Sequence, residues 1–240
     1  MAAHAAGERF AGLHVLVDDD PRWPRDPVAQ ARAACAGGAP VVQLRAKHAT
    51  DAAALAWARE IRALTRACGT LFVMNDRFDL ALASDADAVH LGQEDLPPER
   101  IPSEARQRLA VGRSTHDLEQ ARKAADEPID YVAFGPLFGT RSKDSPYAAR
   151  GIEALRAVVD AVQPKPVIAI GGINGDNLAE VLRAGAAGAA VISAAAGAAD
   201  AEAAVRELAR HGAWPGRAEP GLEQLGTQGT QNTQKGEATS

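Results

Sequence analysis

The segment Gln43-Leu44-Arg45-Ala46-Lys47 carries an amide and two cations at alternate positions. On an extended backbone alternate side chains project to one side, so Gln43, Arg45 and Lys47 would share a face. Two fixed cations beside an amide suit a diphosphate, and a solvated basic strand end is the competing reading. Carboxylates come next: Asn75-Asp76 follows one apolar run, and Asp95 closes the stretch His90-Leu91-Gly92-Gln93-Glu94-Asp95. Paired carboxylates from neighbouring strand ends are hard oxygen ligands of the kind Mg²⁺ takes together with substrate phosphates. Asp76 and Asp95 are therefore the metal candidates, with a helix N-cap as the rival role for Asp76. Asp79, Asp85 and Asp87 read as helix or surface residues, and Glu94 is left open.

Hydroxyls gather further along. Gly112-Arg113-Ser114-Thr115-His116 offers hydroxyls and an imidazole, with helix capping as the alternative for Ser114 or Thr115. The long loop from Gly135 runs through Thr140, Arg141, Ser142 and Lys143. Loops of that length in compact domains are usually functional, and these hydroxyls and this cation could close over a phosphorylated substrate. Gly171-Gly172-Ile173-Asn174 and Ile192-Ser193-Ala194 complete the set.

The elements that must position these residues follow a repeated strand–helix rhythm. Strands are expected at Leu13 to Val17, Val41 to Leu44, Leu71 to Met74, Ala88 to Leu91, Leu109 to Gly112, Tyr131 to Phe134, Val167 to Ile170 and Ala190 to Ile192. Helices are expected at Asp26 to Ala36, Asp51 to Ala67, Asp76 to Ser84, Ser103 to Arg108, His116 to Ala125, Gly151 to Val162, Asn174 to Ala184 and Ala198 to His211. Runs such as VVQL and VIAI are apolar on both faces, as strands of a helix-covered parallel sheet are. Eight such units close a barrel, so the fold class is α/β, a single-domain (β/α)8 TIM barrel. An open doubly wound sheet is the other arrangement, and the first strand–helix turn lacks its GxGxxG. In such barrels the loops after the seventh and eighth strands commonly build a phosphate site, which gives Gly172, Ile192 and Ser193 a role.

Residues 1–10 read as a flexible N-terminus, 11–214 as the catalytic barrel and 215–240 as a polar, disordered tail rich in Gly, Gln and Thr. The 240 residues are 46% apolar and 24% charged but only 4% aromatic, so the core is built from small and branched aliphatics. A net charge of −5 offers no global field for nucleic acid or an anionic membrane, and any anionic ligand must meet a local cluster. The opening MAAHAAGERFAG has no signal-peptide pattern, and no long apolar run occurs. Cys35 and Cys68 stand apart without CxxC partners, which fits a reducing compartment, and a cytoplasmic location is expected.

The blocks VVQLRAK, MNDRFDLALASDADAVHLGQEDLP, GRSTH, DYVAFGPLFGTRSK and VIAIGGIN with AAVIS stand in one order between about Leu13 and about Ala199. In these blocks and their spacing the chain resembles the thiamine phosphate synthase family. The resemblance implies a barrel enzyme that joins hydroxymethylpyrimidine diphosphate to hydroxyethylthiazole phosphate, releasing pyrophosphate with Mg²⁺ as cofactor. It implies that Gln43, Arg45, Lys47, Asn75, Ser114 and Lys143 hold the pyrimidine diphosphate, with Arg45, Lys47, Ser114 and Lys143 the catalytic set. Thr140, Ser142, Gly172, Ile192 and Ser193 would hold the thiazole phosphate, and Asp76 and Asp95 the metal. Where the family usually shows T-x-T-K, this chain has Thr140-Arg141-Ser142-Lys143, keeping the hydroxyl and losing a methyl. The first strand, HVLVDDD, fits loosely, and the tail has no family counterpart.

The residues suit this chemistry independently. A pyrimidinylmethyl diphosphate can lose pyrophosphate dissociatively, after which the thiazole nitrogen attacks; no protein nucleophile is needed, and no GxSxG is present. Two rivals stand beside it. A thiazole tautomerase of the same barrel family, with His116 as base, would need neither both carboxylates nor the full cation set. A catalytically silent binder of thiamine precursors is the other. The implied partners are small molecules, with no nucleic acid and no membrane, and a homo-oligomeric state is left open.

Overall fold

The computed structural model describes residues 9–139, 147–211 and 214. Among them, β1 (Gly12–Asp18), β2 (Val41–Arg45), β3 (Leu71–Asn75), β4 (Ala88–Leu91), β5 (Ala110–Thr115), β6 (Tyr131–Phe134), β7 (Val167–Ile170) and β8 (Gly188–Val191) are parallel. They pair in chain order, and β8 returns to β1 to close the barrel. Around it lie α1 (Pro27–Ala36), α2 (Asp51–Cys68), α3 (Phe78–Ala83), α4 (Ser103–Arg106), α5 (Leu118–Asp126), α6 (Gly151–Val162), α7 (Leu178–Arg183), α8 (Ser193–Ala196) and α9 (Ala201–His211). No helix of the described residues is long and apolar enough to cross a membrane.

The period of two along each strand divides the apolar residues into two layers. Leu13, Val15, Val17, Val42 and Leu44 face outward and pack beneath the helices. Leu16, Val41, Val73, Ala88, Ala110, Tyr131, Ile168 and Ala190 face inward and fill the barrel. Helix α2 shows how the outer layer is made. Ala54, Ala58, Ile61 and Thr65 recur at helical spacing on its buried face, and burying a side chain such as Ile61 contributes about 1.5–3 kcal/mol. The Thr50 hydroxyl accepts from the Ala53 N–H at 3.3 Å at its start, and Gly69 ends it in the left-handed conformation at φ 68°.

Several boundaries differ from the sequence reading, most of them near the barrel mouth, and α7 begins at Leu178 where a helix from Asn174 is expected. Helix α3 begins at Phe78 and not at Asp76, because Asp76 itself sits at φ 64°, outside helical space. Helix α5 begins at Leu118 and not at His116, since Asp117 is the cap and accepts from the Gln120 N–H at 2.8 Å. Strand β5 runs on to Thr115, beyond the expected Gly112, and β8 covers Gly188–Val191 in place of Ala190 to Ile192. The expected helix from Ala198 to His211 is preceded by the separate turn α8, which starts directly after Ile192.

Candidate active site

The strand C-termini open onto one cleft, lined among others by Gln43, His90, Ser114, Gly172, Ile192 and Ser193 and enclosing about 820 Å³, part of it open solvent. Five of these six are residues expected to bind substrate; His90 is the addition. Gln43 is buried on β2 and Ser114 lies on β5, while Gly172 follows β7 and Ile192 and Ser193 follow β8.

A charged cluster stands on the strand ends beside it. Lys47, in the loop after β2, pairs its ammonium with the Asp76 carboxylate after β3. The Asp95 carboxyl lies against that of Asp76, and its Oδ2 accepts from the Gly92 N–H at 2.6 Å. Burial, and next the neighbouring Asp76, push the Asp95 carboxyl above its usual range. Asp76 caps no helix: α3 is preceded by Arg77 without a side-chain cap. The Asp76 N–H donates to the His90 carbonyl at 2.7 Å, which secures the left-handed turn. Arg77 pins the same loop outward, with Nη1 2.6 Å from Asp51 and Nη2 2.7 Å from Asp79. Arg45 closes β2, and Asn75 is buried at the end of β3. Glu94 is exposed. Asp85 pairs with Arg66, and Asp87 with Arg62 at 2.7 Å, so both serve the helical layer.

Ser114 is no helix cap either. Its hydroxyl is 2.8 Å from His90 Nε2, and His90 Nδ1 is 3.0 Å from the Tyr131 hydroxyl. Register explains this string: His90 pairs with Gly112 across β4 and β5, and Gly112 with Tyr131 across β5 and β6. Gly112 has no side chain, so the imidazole and the phenol meet over it; a Cβ there would lie 2.1 Å from Tyr131 Cζ and 2.6 Å from His90 Nδ1. Below, Tyr131 stacks on Phe10 at 5.1 Å and meets the edge of His14 at 5.8 Å, and burial pushes its phenol upward, so it stays protonated. Thr115 donates to the Ala133 carbonyl at 3.0 Å. The loop with Asp95 is held by buried Arg113, whose Nη1 donates to the Gly92 carbonyl while Nε lies 3.2 Å from Glu127.

The Gly172 end is built from tight turns. Gly172 has φ 70°, and a Cβ on it would lie 2.8 Å from the Gly139 carbonyl oxygen and from Phe138 Cβ. Asn177 Nδ2 donates to the Gly172 carbonyl at 3.0 Å. Opposite, His116 Nδ1–H donates to the Gly135 carbonyl at 2.7 Å, and its ring stacks on Tyr147 at 3.8 Å. Thr140, Ser142 and Lys143 lie outside the described residues. Sequence reasoning missed His90, Tyr131 and Arg113 as contributors, although all three stand inside the quoted blocks; strand parity was the available signal for His90.

Residues 13–195 match the family model described as thiamine monophosphate synthase. A thiamine-phosphate synthase of Anaeromyxobacter dehalogenans is 49% identical over 86% of this chain and 91% of its own length. One of Methanoregula boonei is 46% identical over 82% of this chain and 90% of its own. The solved structure of a thiamine phosphate pyrophosphorylase from Pyrococcus furiosus superposes with a TM-score of 0.75 at 38% identity, covering 86% of this chain and 96% of that one. With a family model matched over most of the barrel and relatives this similar over nearly their whole length, the chain belongs to the thiamine monophosphate synthase family.

Proposed function

We propose that this chain joins hydroxymethylpyrimidine diphosphate to hydroxyethylthiazole phosphate, giving thiamine phosphate and pyrophosphate. The observation that carries this reading is the meeting of Lys47, Asp76 and Asp95 at the mouth of a cleft lined by Gln43, Ser114, Gly172, Ile192 and Ser193. In the reaction the bond from the pyrimidinyl methylene to the diphosphate oxygen breaks, and its electron pair leaves with pyrophosphate. The thiazole nitrogen lone pair then forms the new C–N bond, and the positive charge passes to the thiazolium. This makes the protein an alkyl-group transferase.

Gln43, Asn75 and Ser114 orient the pyrimidine, while Arg45, Lys47 and Lys143 hold the diphosphate and stabilise the charge that develops on it. Thr140, Ser142, Gly172, Ile192 and Ser193 hold the thiazole phosphate, so that both reactants are brought together in one cleft. Two carboxylates held against each other beside the cleft fit a divalent cation, and Asp76 and Asp95 would hold Mg²⁺. When bound, the ion supplies positive charge against the leaving diphosphate oxygens. The joint presence of both carboxylates and the cations supports synthase over tautomerase, as do the relatives' names. The reactants are small molecules, no nucleic acid or membrane partner is implied, and two unlinked cysteines support a cytoplasmic setting.

Replacing Asp76 with Ala tests the assignment. Thiamine phosphate formation in Mg²⁺ is expected to fall by about 100-fold or more, roughly 2.7 kcal/mol of barrier, and normal Mg²⁺-dependent coupling would overturn the metal role.

A further inference from the structure

Two carboxylates at the end of β1 take no part in the roles above, yet both reach the segment that carries Arg45 and Lys47. Register sets Asp18 directly beside Arg45 across β1 and β2. Asp18 is fully buried; its Oδ2 accepts from Arg45 Nη1 at 2.7 Å and its Oδ1 from the Asp20 N–H at 2.8 Å. Its own backbone is fixed from α1, where Gln30 Oε1 accepts from the Asp18 N–H at 3.1 Å and Gln30 Nε2 donates to the Asp18 carbonyl at 2.8 Å. Asp19 grips backbone instead. Its Oδ1 accepts from the Lys47 N–H at 2.8 Å, and its Oδ2 from the N–H groups of His48 at 2.9 Å and Ala49 at 2.8 Å.

A guanidinium has five N–H donors, so one bond to Asp18 restrains its position and leaves the other donors for an oxyanion. A long cation that is already ordered loses less rotamer freedom when the anion arrives. One carboxylate that accepts three successive N–H groups likewise fixes the loop from which Lys47 reaches out. We propose that Asp18 and Asp19 are positioning residues of the diphosphate subsite, Asp18 by setting the Arg45 guanidinium and Asp19 by setting the backbone that carries Lys47. Neither touches the substrate. This rests on the function proposed above, which assigns Arg45 and Lys47 to the diphosphate.

The test combines calorimetric binding of inorganic pyrophosphate in Mg²⁺ with KM for each substrate. It uses Asp18→Asn, Asp19→Ala, Asp19→Asn, Arg45→Ala, Lys47→Ala and the doubles Asp18→Asn/Arg45→Ala and Asp19→Ala/Lys47→Ala. Asp19→Ala is expected to weaken pyrophosphate binding and raise KM for the pyrimidine diphosphate by about tenfold, with KM for the thiazole phosphate within about twofold. Each aspartate change is expected to add little once its cation is gone, because no cation remains to be placed. Full additivity in the doubles, or equal KM losses for both substrates, would overturn the proposal. If Asp19→Ala does not melt cooperatively, Asp19→Asn, which keeps one acceptor oxygen, carries the same expectation in smaller measure. Normal pyrophosphate binding by Arg45→Ala and Lys47→Ala would bring down the diphosphate site itself. Loss in those two with normal binding in the aspartate variants would remove the positioning roles alone.

Discussion

Gly112 shows how much can depend on a missing side chain. It lies between His90 and Tyr131 in one row of the barrel, and only its bare backbone lets those two side chains meet, with His90 in turn holding the Ser114 hydroxyl. Gly112→Ala would force that contact apart, with an expected stability loss of about 1–3 kcal/mol by thermal melting. Turnover is expected to fall beyond what the lost stability explains, because Ser114 loses its anchor. Wild-type Tm and wild-type turnover together would show that the row adapts. The row could not be read from the sequence, because His90, Gly112 and Tyr131 lie on three successive strands and only the register aligns them. The Asp18–Asp19 pair escaped for another reason: the first strand, HVLVDDD, fits the family blocks only loosely, and burial of Asp18 is a property of the closed barrel.

The strands were legible because buried parallel strands are nearly continuous apolar runs, and β2, β3, β4, β6 and β7 came out within a residue of their observed ends. Errors gathered at the mouth. There Arg113, Ser114 and Thr115 continue β5 with polar side chains, since the end of a barrel strand presents chemistry and not core. Asp76 and His116 mimicked helix starts for the same reason: a polar residue after a strand can cap a helix or serve a site, and only the backbone decides. The loop after β7 is the element whose shape bears most directly on the thiazole phosphate. Gly172→Ala must accommodate both φ 70° and two contacts at 2.8 Å, at a cost of about 1–3 kcal/mol in local strain. Its expected effect is a raised KM for the thiazole phosphate with a smaller change for the pyrimidine diphosphate. The reverse order in steady-state kinetics would place the phosphate elsewhere.

As one molecule, the barrel divides its labour by face. Apolar parity fills the inside and the helix-facing outside, and the polar ends of β1 to β5 converge on one mouth with the loops after β7 and β8. Residues 215–240 are not among the described residues, and their composition is poor in the apolar side chains a packed element needs. Truncation before Pro215 is therefore expected to leave turnover and Tm unchanged, and a loss of cooperative melting would make the segment structural. The experiment that bears most directly on the whole reading is pyrophosphate release by the purified protein, with each substrate alone and with both, in the presence and absence of Mg²⁺. Release that requires both substrates and the metal is the expected result. No release from folded protein supplied with verified substrates would contradict it.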